Sequence, residues 1–130
     1  MTRPLYPLLL TALLGGCKAD DPTGTWTGSA QTSVFGVRTD YELDIDIVAD
    51  DDGNLSGEGV LLTDGVPADV TLEGEQKRSK IEFELFPLGA DFALDTKYKG
   101  KIHEDLMDGK LSVGVSLAKV RGDMTLRRQE

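Results

Sequence analysis

Residues 41–47 alternate strictly between apolar and acidic side chains, and this period of two constrains the fold more than any other feature of the chain. One phase holds Tyr41, Leu43, Ile45 and Ile47, and the other holds Glu42, Asp44 and Asp46. Because successive side chains of a strand point to opposite faces, the segment predicts a half-buried antiparallel strand with a solvated acidic face.

Seven further segments show the same short-strand character, and turn-forming residues separate them. The eight predicted strands span residues 24–30, 41–47, 55–62, 66–75, 81–85, 92–102, 111–117 and 120–126. Asp52-Gly53 and Asp64-Gly65 are hairpin signals, because aspartate and glycine tolerate the positive φ angles of tight turns. The pattern predicts an all-β chain whose consecutive strands are joined by short turns.

A single sheet of eight such strands would have one apolar face and two unpaired edges. Closing the sheet into a barrel buries the face and removes both edges. Glycines within the strands, such as Gly57, Gly59 and Gly100, fit the bends that a small barrel needs. The short connections favour an eight-stranded antiparallel up-and-down (meander) β-barrel over residues 24–130, with a β-sandwich as the alternative architecture.

The first residues of the chain resemble a secretory signal. Arg3 supplies a positive charge, and an apolar stretch follows from Leu5 to Leu14. A helix of this length covers about 15 Å, which is half of the hydrocarbon core of a bilayer. We therefore expect an export signal at this position and not a membrane-spanning helix.

Leu14-Gly15-Gly16-Cys17 resembles the lipobox of bacterial lipoprotein signals, in which small residues precede a modified cysteine. The resemblance implies that residues 1–16 are removed and that Cys17 becomes acylated with fatty acids such as palmitate. Residues 17–23 are then the lipidated cysteine and a short polar tether. An ordinary cleaved signal followed by an unmodified cysteine is the alternative. Cys17 is the only cysteine, so no intrachain disulfide can form.

The chain is acidic, with a formal net charge of −9 at neutral pH. This balance argues against nucleic-acid binding, which needs a basic face. It also disfavours adhesion to anionic lipid, so we expect the lipid anchor alone to hold the protein to its membrane. Lys18 follows the cysteine, where enteric lipoproteins retained in the inner membrane carry aspartate. We therefore expect a location in the bacterial cell envelope, with the outer membrane favoured.

Gly24-Thr25-Trp26, at the start of the first predicted strand, matches the Gly-x-Trp that opens lipocalins and the wider calycin group. The chain also resembles bacterial lipocalin-like lipoproteins in its glycine-rich segment 52–59 and in its closing segment 125–128. The resemblance implies that Trp26 plugs one end of the barrel. It further implies that a basic residue of the last strand, Arg127 or Arg128, packs over the indole ring.

No constellation of catalytic residues is recognisable. His103 is the only histidine, and its position between two predicted strands, followed by acidic residues, is typical of a solvated turn. Segment 50–54 offers oxygen ligands, but Leu61 stands where an EF-hand calcium loop ends in glutamate. We therefore expect a protein that is not an enzyme and that carries neither a metal site nor a cofactor.

Two functions suit a small barrel of this kind. In the first, it binds a small hydrophobic ligand in a lumen lined by Ala30, Tyr41, Leu43, Phe83 and Tyr98. In the second, side chains fill the lumen and the protein is an envelope interaction or inhibitor protein, whose acidic surface suits a basic partner. The pattern favours the first function, for a monomer without a nucleic-acid partner.

Overall fold

The computed structural model describes residues 20–34, 36–88, 95–115 and 118–129, and every regular element within them is a strand. The strands are β1 (Gly24–Val34), β2 (Val37–Ala49), β3 (Asn54–Thr63), β4 (Val66–Lys77), β5 (Lys80–Pro87), β6 (Thr96–His103), β7 (Leu106–Val115) and β8 (Ala118–Gln129). No helix in the described part of the chain is long and apolar enough to cross a bilayer.

Each strand pairs antiparallel with the next one along the chain, and β8 returns to pair with β1. The register of this closing pair runs from Thr25 opposite Gln129 to Ser29 opposite Thr125. Closure gives the outer N–H and C=O groups of the first and last strands hydrogen-bond partners. The prediction of an eight-stranded up-and-down barrel is confirmed, and the β-sandwich alternative is wrong.

The period of two places the apolar side chains inside the barrel, as the alternation in β2 predicts. Tyr41, Leu43, Ile45 and Ile47 are at most 6% exposed, and the residues between them are exposed. Inward side chains from all eight strands form one continuous hydrophobic core. Because burial of one large aliphatic side chain contributes about 1.5–3 kcal/mol, this core is the main source of stability.

Two predicted hairpin turns form through different local interactions. Asp64 and Gly65, between β3 and β4, have φ angles of 49° and 84°, the left-handed region that a tight hairpin turn requires. Between β2 and β3, the Asp50 carboxylate accepts backbone N–H groups of Asp52 and Asn54, each at 2.8 Å. The hydrogen bond from the Asn54 backbone N–H has the largest effect, and together these bonds hold the pKa of the Asp50 carboxyl below its ordinary value.

Several strands are longer than the sequence predicts. β1 continues beyond residue 30 to Val34, and it includes Thr32, a polar residue in an inward, buried position. β7 begins at Leu106 and not at residue 111, because Gly109 pairs directly with Gly100 of β6. Gly109 and the charged residues beside it lack the apolar alternation by which the sequence marks a strand, although here they continue the sheet.

Three predictions fall on residues outside the described ranges. The signal and Cys17 lie within residues 1–19, Phe92 lies within residues 89–94, and Leu117 follows the last described residue of β7. The predicted sixth strand begins at Phe92, whereas β6 as described begins at Thr96.

Inward-facing glycines let neighbouring strands approach more closely than a side chain would permit. A Cβ atom on Gly59 of β3 would lie 2.1 Å from the backbone oxygen of Asp44 in β2. A Cβ atom on Gly74 of β4 would lie 2.1 Å from the backbone oxygen of Glu82 in β5. These positions allow the tight curvature of a small barrel.

We expect Gly59→Ala to lower the free energy of unfolding by about 1–3 kcal/mol, because the added methyl group must push two paired strands apart. Gly114→Ala is the matched control, since its Cβ atom would meet no described atom closer than 3.3 Å. The control should change the free energy of unfolding by no more than about 0.5 kcal/mol. Urea unfolding followed by tryptophan fluorescence measures both, and equal losses would contradict the close-approach argument.

Candidate functional site

One end of the barrel is sealed by Trp26, the third residue of β1. Its side chain is completely buried, and its indole N–H donates to the backbone oxygen of Pro22 at 2.8 Å. Pro22 is itself buried in the short segment 20–23, which runs beneath the barrel before β1 begins. The only tryptophan of the chain therefore joins the first strand to the segment that precedes it.

Arg128 of β8 completes this seal. Its guanidinium carbon lies 4.5 Å from the centre of the Trp26 ring, within the range of a cation–π contact. The guanidinium also donates to the backbone oxygens of Thr23 at 2.6 Å and Asp21 at 2.9 Å. Its Nε atom donates to the Asp105 carboxylate at 2.8 Å. One side chain thus connects β8, the β6–β7 turn and the N-terminal segment.

Arg127 does not share this position. Leu126 and Arg128 face inward along β8, so Arg127 between them lies exposed on the outer face. Of the two basic residues that the calycin resemblance offers, the structure places only Arg128 beside the indole ring.

We expect Arg128→Lys to lower the free energy of unfolding by about 1.5–3 kcal/mol, because lysine cannot reproduce the planar set of hydrogen bonds to three partners. Arg127→Lys, on the adjacent exposed position, is the control and should stay within about 0.5 kcal/mol of the wild type. Thermal and urea unfolding measure the difference. A similar loss in both variants would show that Arg128 does not act as the clamp.

The five residues predicted to line the lumen all face inward. Ala30, Tyr41, Leu43, Phe83 and Tyr98 are at most 6% exposed. The structure brings two pairs of them together. Ala30 lies opposite Tyr41 across β1 and β2. The rings of Phe83 and Tyr98 stack with centroids 5.1 Å apart.

Tyr98 covers Gly100, two residues further along its own strand. A Cβ atom on Gly100 would lie 2.8 Å from the Tyr98 hydroxyl oxygen, so the ring occupies space that glycine leaves. The hydroxyl donates to the backbone oxygen of Met124 in β8 at 3.1 Å. Burial, with a further contribution from the Asp108 carboxylate, raises the pKa of this hydroxyl above its ordinary value. Tyr98 therefore stays neutral and acts as a donor across β7.

The end opposite Trp26 holds two buried hydroxyl groups that the sequence does not single out. Thr32, near the end of β1, is 4% exposed, and Thr96, at the start of β6, is 2% exposed. Within the described ranges, neither hydroxyl forms a side-chain hydrogen bond. The sequence does hold a signal for Thr32, because it continues the inward phase of Trp26 and Ala30. Threonine in a strand is equally common on a solvated face, so this signal does not indicate burial.

His103 lies at the sealed end, exposed, with its Nε2 atom 3.6 Å from a carboxylate oxygen of Glu104. Across residues 20–34, 36–88, 95–115 and 118–129, no group of three or more His, Cys, Asp or Glu side chains is arranged to hold a metal ion. Asp50 bonds to its own hairpin through Asp52 and Asn54.

These features define an eight-stranded up-and-down barrel that is sealed at one end by a tryptophan–arginine pair. Among solved structures, it is similar to EF1p2_mFAP2b bound to DFHBI, with a TM-score of 0.66 at 10% identity. It is also similar to a de novo designed fluorescence-activating β-barrel, with a TM-score of 0.60 at 15% identity. Each comparison covers 82% of this chain and 93% of the other chain. At these identities the likeness shows a shared fold.

No protein-family model and no curated protein sequence matches the chain.

Proposed function

We propose that the protein is a lipid-anchored lipoprotein of the bacterial cell envelope whose barrel binds a small hydrophobic ligand carrying one polar group. The observation that carries the binding proposal is the contrast between the two barrel ends. Trp26, Pro22 and Arg128 seal one end, whereas Thr32 and Thr96 bring buried hydroxyl groups to the other. The ligand enters at the end opposite Trp26, and the protein binds it without catalysis.

The two hydroxyl groups give the proposed ligand its polar requirement. A buried hydroxyl without a hydrogen bond is unfavourable by about 1–3 kcal/mol, so a ligand that supplies a partner gains affinity there. The surrounding inward side chains are apolar, which suits a ligand that is otherwise hydrophobic. They are Ala30, Tyr41, Leu61, Val70, Leu85 and Val113.

The size of the ligand follows from the side chains that occupy the rest of the interior. Trp26 fills the sealed end of the barrel, and the stacked rings of Phe83 and Tyr98 lie between it and Thr96, so we place the ligand at the opposite end. An eight-stranded barrel has room for one small ligand at most. EF1p2_mFAP2b, which has the same fold, is described as bound to DFHBI, and this supports the view that such a barrel can accept a small molecule.

The anchoring proposal rests on Leu14-Gly15-Gly16-Cys17 and on the place where the described chain begins. Asp20, three residues after Cys17, lies at the sealed end of the barrel. Three residues reach at most about 11 Å, so an acylated Cys17 would hold this end close to the membrane. The outer membrane is the favoured location.

A filled interior favours the second candidate, an envelope interaction or inhibitor protein without a small-molecule ligand. Its supporting observation is the acidic outer face of β2, β3 and β4, which complements a basic envelope protein. The exposed carboxylates on this face belong to Asp40, Glu42, Asp44, Asp46, Glu58, Asp69, Glu73 and Glu75.

Titration with Nile red, a neutral hydrophobic dye that carries a carbonyl group, tests ligand binding. We expect saturable binding at one site, and Thr32→Val should weaken it about tenfold by removing a hydrogen bond without changing the shape. Thr71→Val, on the outer face of β4, is the matched control and should leave the affinity unchanged. Ala30→Trp should abolish binding by filling the open half of the lumen.

The absence of saturable dye binding by the folded wild type would overturn the ligand proposal. Titration with a basic protein such as lysozyme then tests the second candidate. Salt-sensitive binding that weakens on Asp44→Asn and Asp46→Asn, but not on Asp123→Asn, which lies on β8 outside this face, would support it.

Lipidation is tested by expression with radiolabelled palmitate in a Gram-negative host. We expect label in the wild type and none in Cys17→Ser, because serine lacks the thiol that accepts the diacylglycerol. Lys18→Ser, which keeps the cysteine, is the control and should remain labelled. Label retained in Cys17→Ser would sink the lipoprotein proposal. Membrane separation of the labelled wild type identifies the membrane that carries it.

A further inference from the structure

The outer wall formed by β5, β6, β7 and β8 carries an open groove of about 740 Å³. Exposed basic side chains dominate its lining, and we refer to it as the lysine groove. These side chains are Lys80, Lys97, Lys99, Lys101, Lys110, Lys119 and Arg121. Three of them are alternate residues of β6, so the outward phase of that strand is entirely basic from residue 97 to residue 101.

Charge is strongly segregated between the walls of the barrel. Seven of the chain's 14 Lys and Arg side chains line the groove, against two of its 23 Asp and Glu side chains, Glu82 and Asp108. The groove therefore has a formal charge of +5 within a chain whose total is −9. The net charge of the chain argues against contact with anionic surfaces, but the charge of this wall has the opposite sign.

The register across the groove places two pairs of like charges directly opposite each other, although Lys99 and Lys101 also lie opposite Glu82 and Asp108 on their other sides. Lys80 pairs with Lys101, and Lys99 pairs with Lys110. Such pairs are unfavourable within a sheet, so they do not help the barrel to fold. Lys110 is relieved by Asp123, 2.9 Å away. The other six cations form no ion pair within 4 Å with any described residue, which leaves them available to an external anion.

Asp20, three residues after Cys17, lies beside one end of this groove. The backbone oxygen of Asp20 accepts a hydrogen bond from the Gln76 side chain at 2.8 Å. Its carboxylate accepts the backbone N–H of Glu104 at 2.7 Å. Both partners lie at the base of the strands next to the Lys80–Lys101 pair, which is the end of the groove nearest to the sealed end of the barrel.

We propose that the lysine groove docks the barrel onto an anionic bilayer surface, next to the lipid at Cys17. The proposal rests on the proposed lipidation for its biological setting. Cys17 can lie no more than about 11 Å from Asp20, so the anchor holds the sealed end, and with it the Lys80–Lys101 end of the basic wall, close to the headgroups. A lipid chain combined with a basic patch is the usual composition of a stable two-part membrane attachment.

The basic wall is long enough to contact several lipid headgroups. From Lys97 to Lys101 the strand rises about 13 Å, and the four strands span about 14 Å at right angles to it. Each lysine near an anionic surface strengthens binding by roughly fivefold. At 0.1 M salt the Debye length is about 10 Å, so acidic side chains on the far side of the barrel are largely screened from the bilayer.

Sedimentation with vesicles tests the docking without the lipid. The test uses residues 18–130, which contain all eight strands and the segment that seals the barrel, and thermal unfolding checks that this chain folds. We expect this chain to bind vesicles rich in phosphatidylglycerol and not vesicles of phosphatidylcholine. Binding should disappear at 1 M salt, where the Debye length falls to about 3 Å.

Charge reversal identifies the surface responsible. We expect Lys99→Glu with Lys101→Glu to weaken vesicle binding by at least about 25-fold, the product of two lysine contributions. Arg38→Glu with Arg127→Glu is the matched control, since it changes the net charge equally on exposed residues outside the groove. The control should stay within about threefold of the wild type, and thermal unfolding should show that both variants fold.

Equal weakening by both double variants would overturn the docking site, and so would equal binding to the two kinds of vesicle. Preference for duplex DNA over phosphatidylglycerol vesicles at the same salt concentration would overturn the bilayer as the occupant. Palmitate labelling is measured separately on the full chain. Binding to anionic vesicles without palmitate labelling would support the docking surface and overturn the lipoprotein proposal. Palmitate labelling without binding to anionic vesicles would overturn only the docking surface.

Discussion

The pairing of β1 with β8 is the constraint on which the rest of the structure depends. Without it, the barrel would be an open sheet with two free edges and a core accessible to water. Arg128 strengthens this closure from β8, because its guanidinium contacts the Trp26 ring and binds backbone oxygens that precede β1. The contacts of Arg128 therefore both seal one end of the barrel and reinforce the pairing of β1 with β8. The two ends of the barrel differ because only one of them has this seal.

The inside and the outside of the barrel are organised by different rules. Inside, the Trp26–Arg128 seal lies at one end, and the buried hydroxyl groups of Thr32 and Thr96 lie among apolar side chains at the other. Outside, position around the circumference decides the charge, with carboxylates on the β2–β4 wall and ammonium groups on the β6 wall. The interior and the outer surface can differ in this way because successive residues of each strand point alternately inward and outward.

The sequence predicts the fold well because the fold depends on local alternation. In β2 every predicted inward residue is buried, and Trp26 is buried as the Gly-x-Trp resemblance implies. The ends of strands are harder to predict, since Thr32 and Gly109 lack the hydrophobicity that marks a strand.

The lysine groove was beyond sequence analysis for a different reason. The basic alternation of Lys97, Lys99 and Lys101 is visible in the chain, but the strand register brings Lys80 and Lys110 beside it. Register depends on how all the strands pair, and a single strand's pattern does not contain that information. The preference of Arg128 over Arg127 was likewise decided by the phase in which β8 meets β1.

The joining of the first strand to the last has a consequence for how the chain is made. During synthesis from the N-terminus, β1 has β2 as its only neighbour until β8 exists, and Trp26 lacks its cationic cover for the same interval. Each unfinished chain therefore presents an unpaired strand edge, and the barrel cannot close before its last strand is available. Until that strand is made, a chaperone that covers exposed strand edges would find one on every nascent chain.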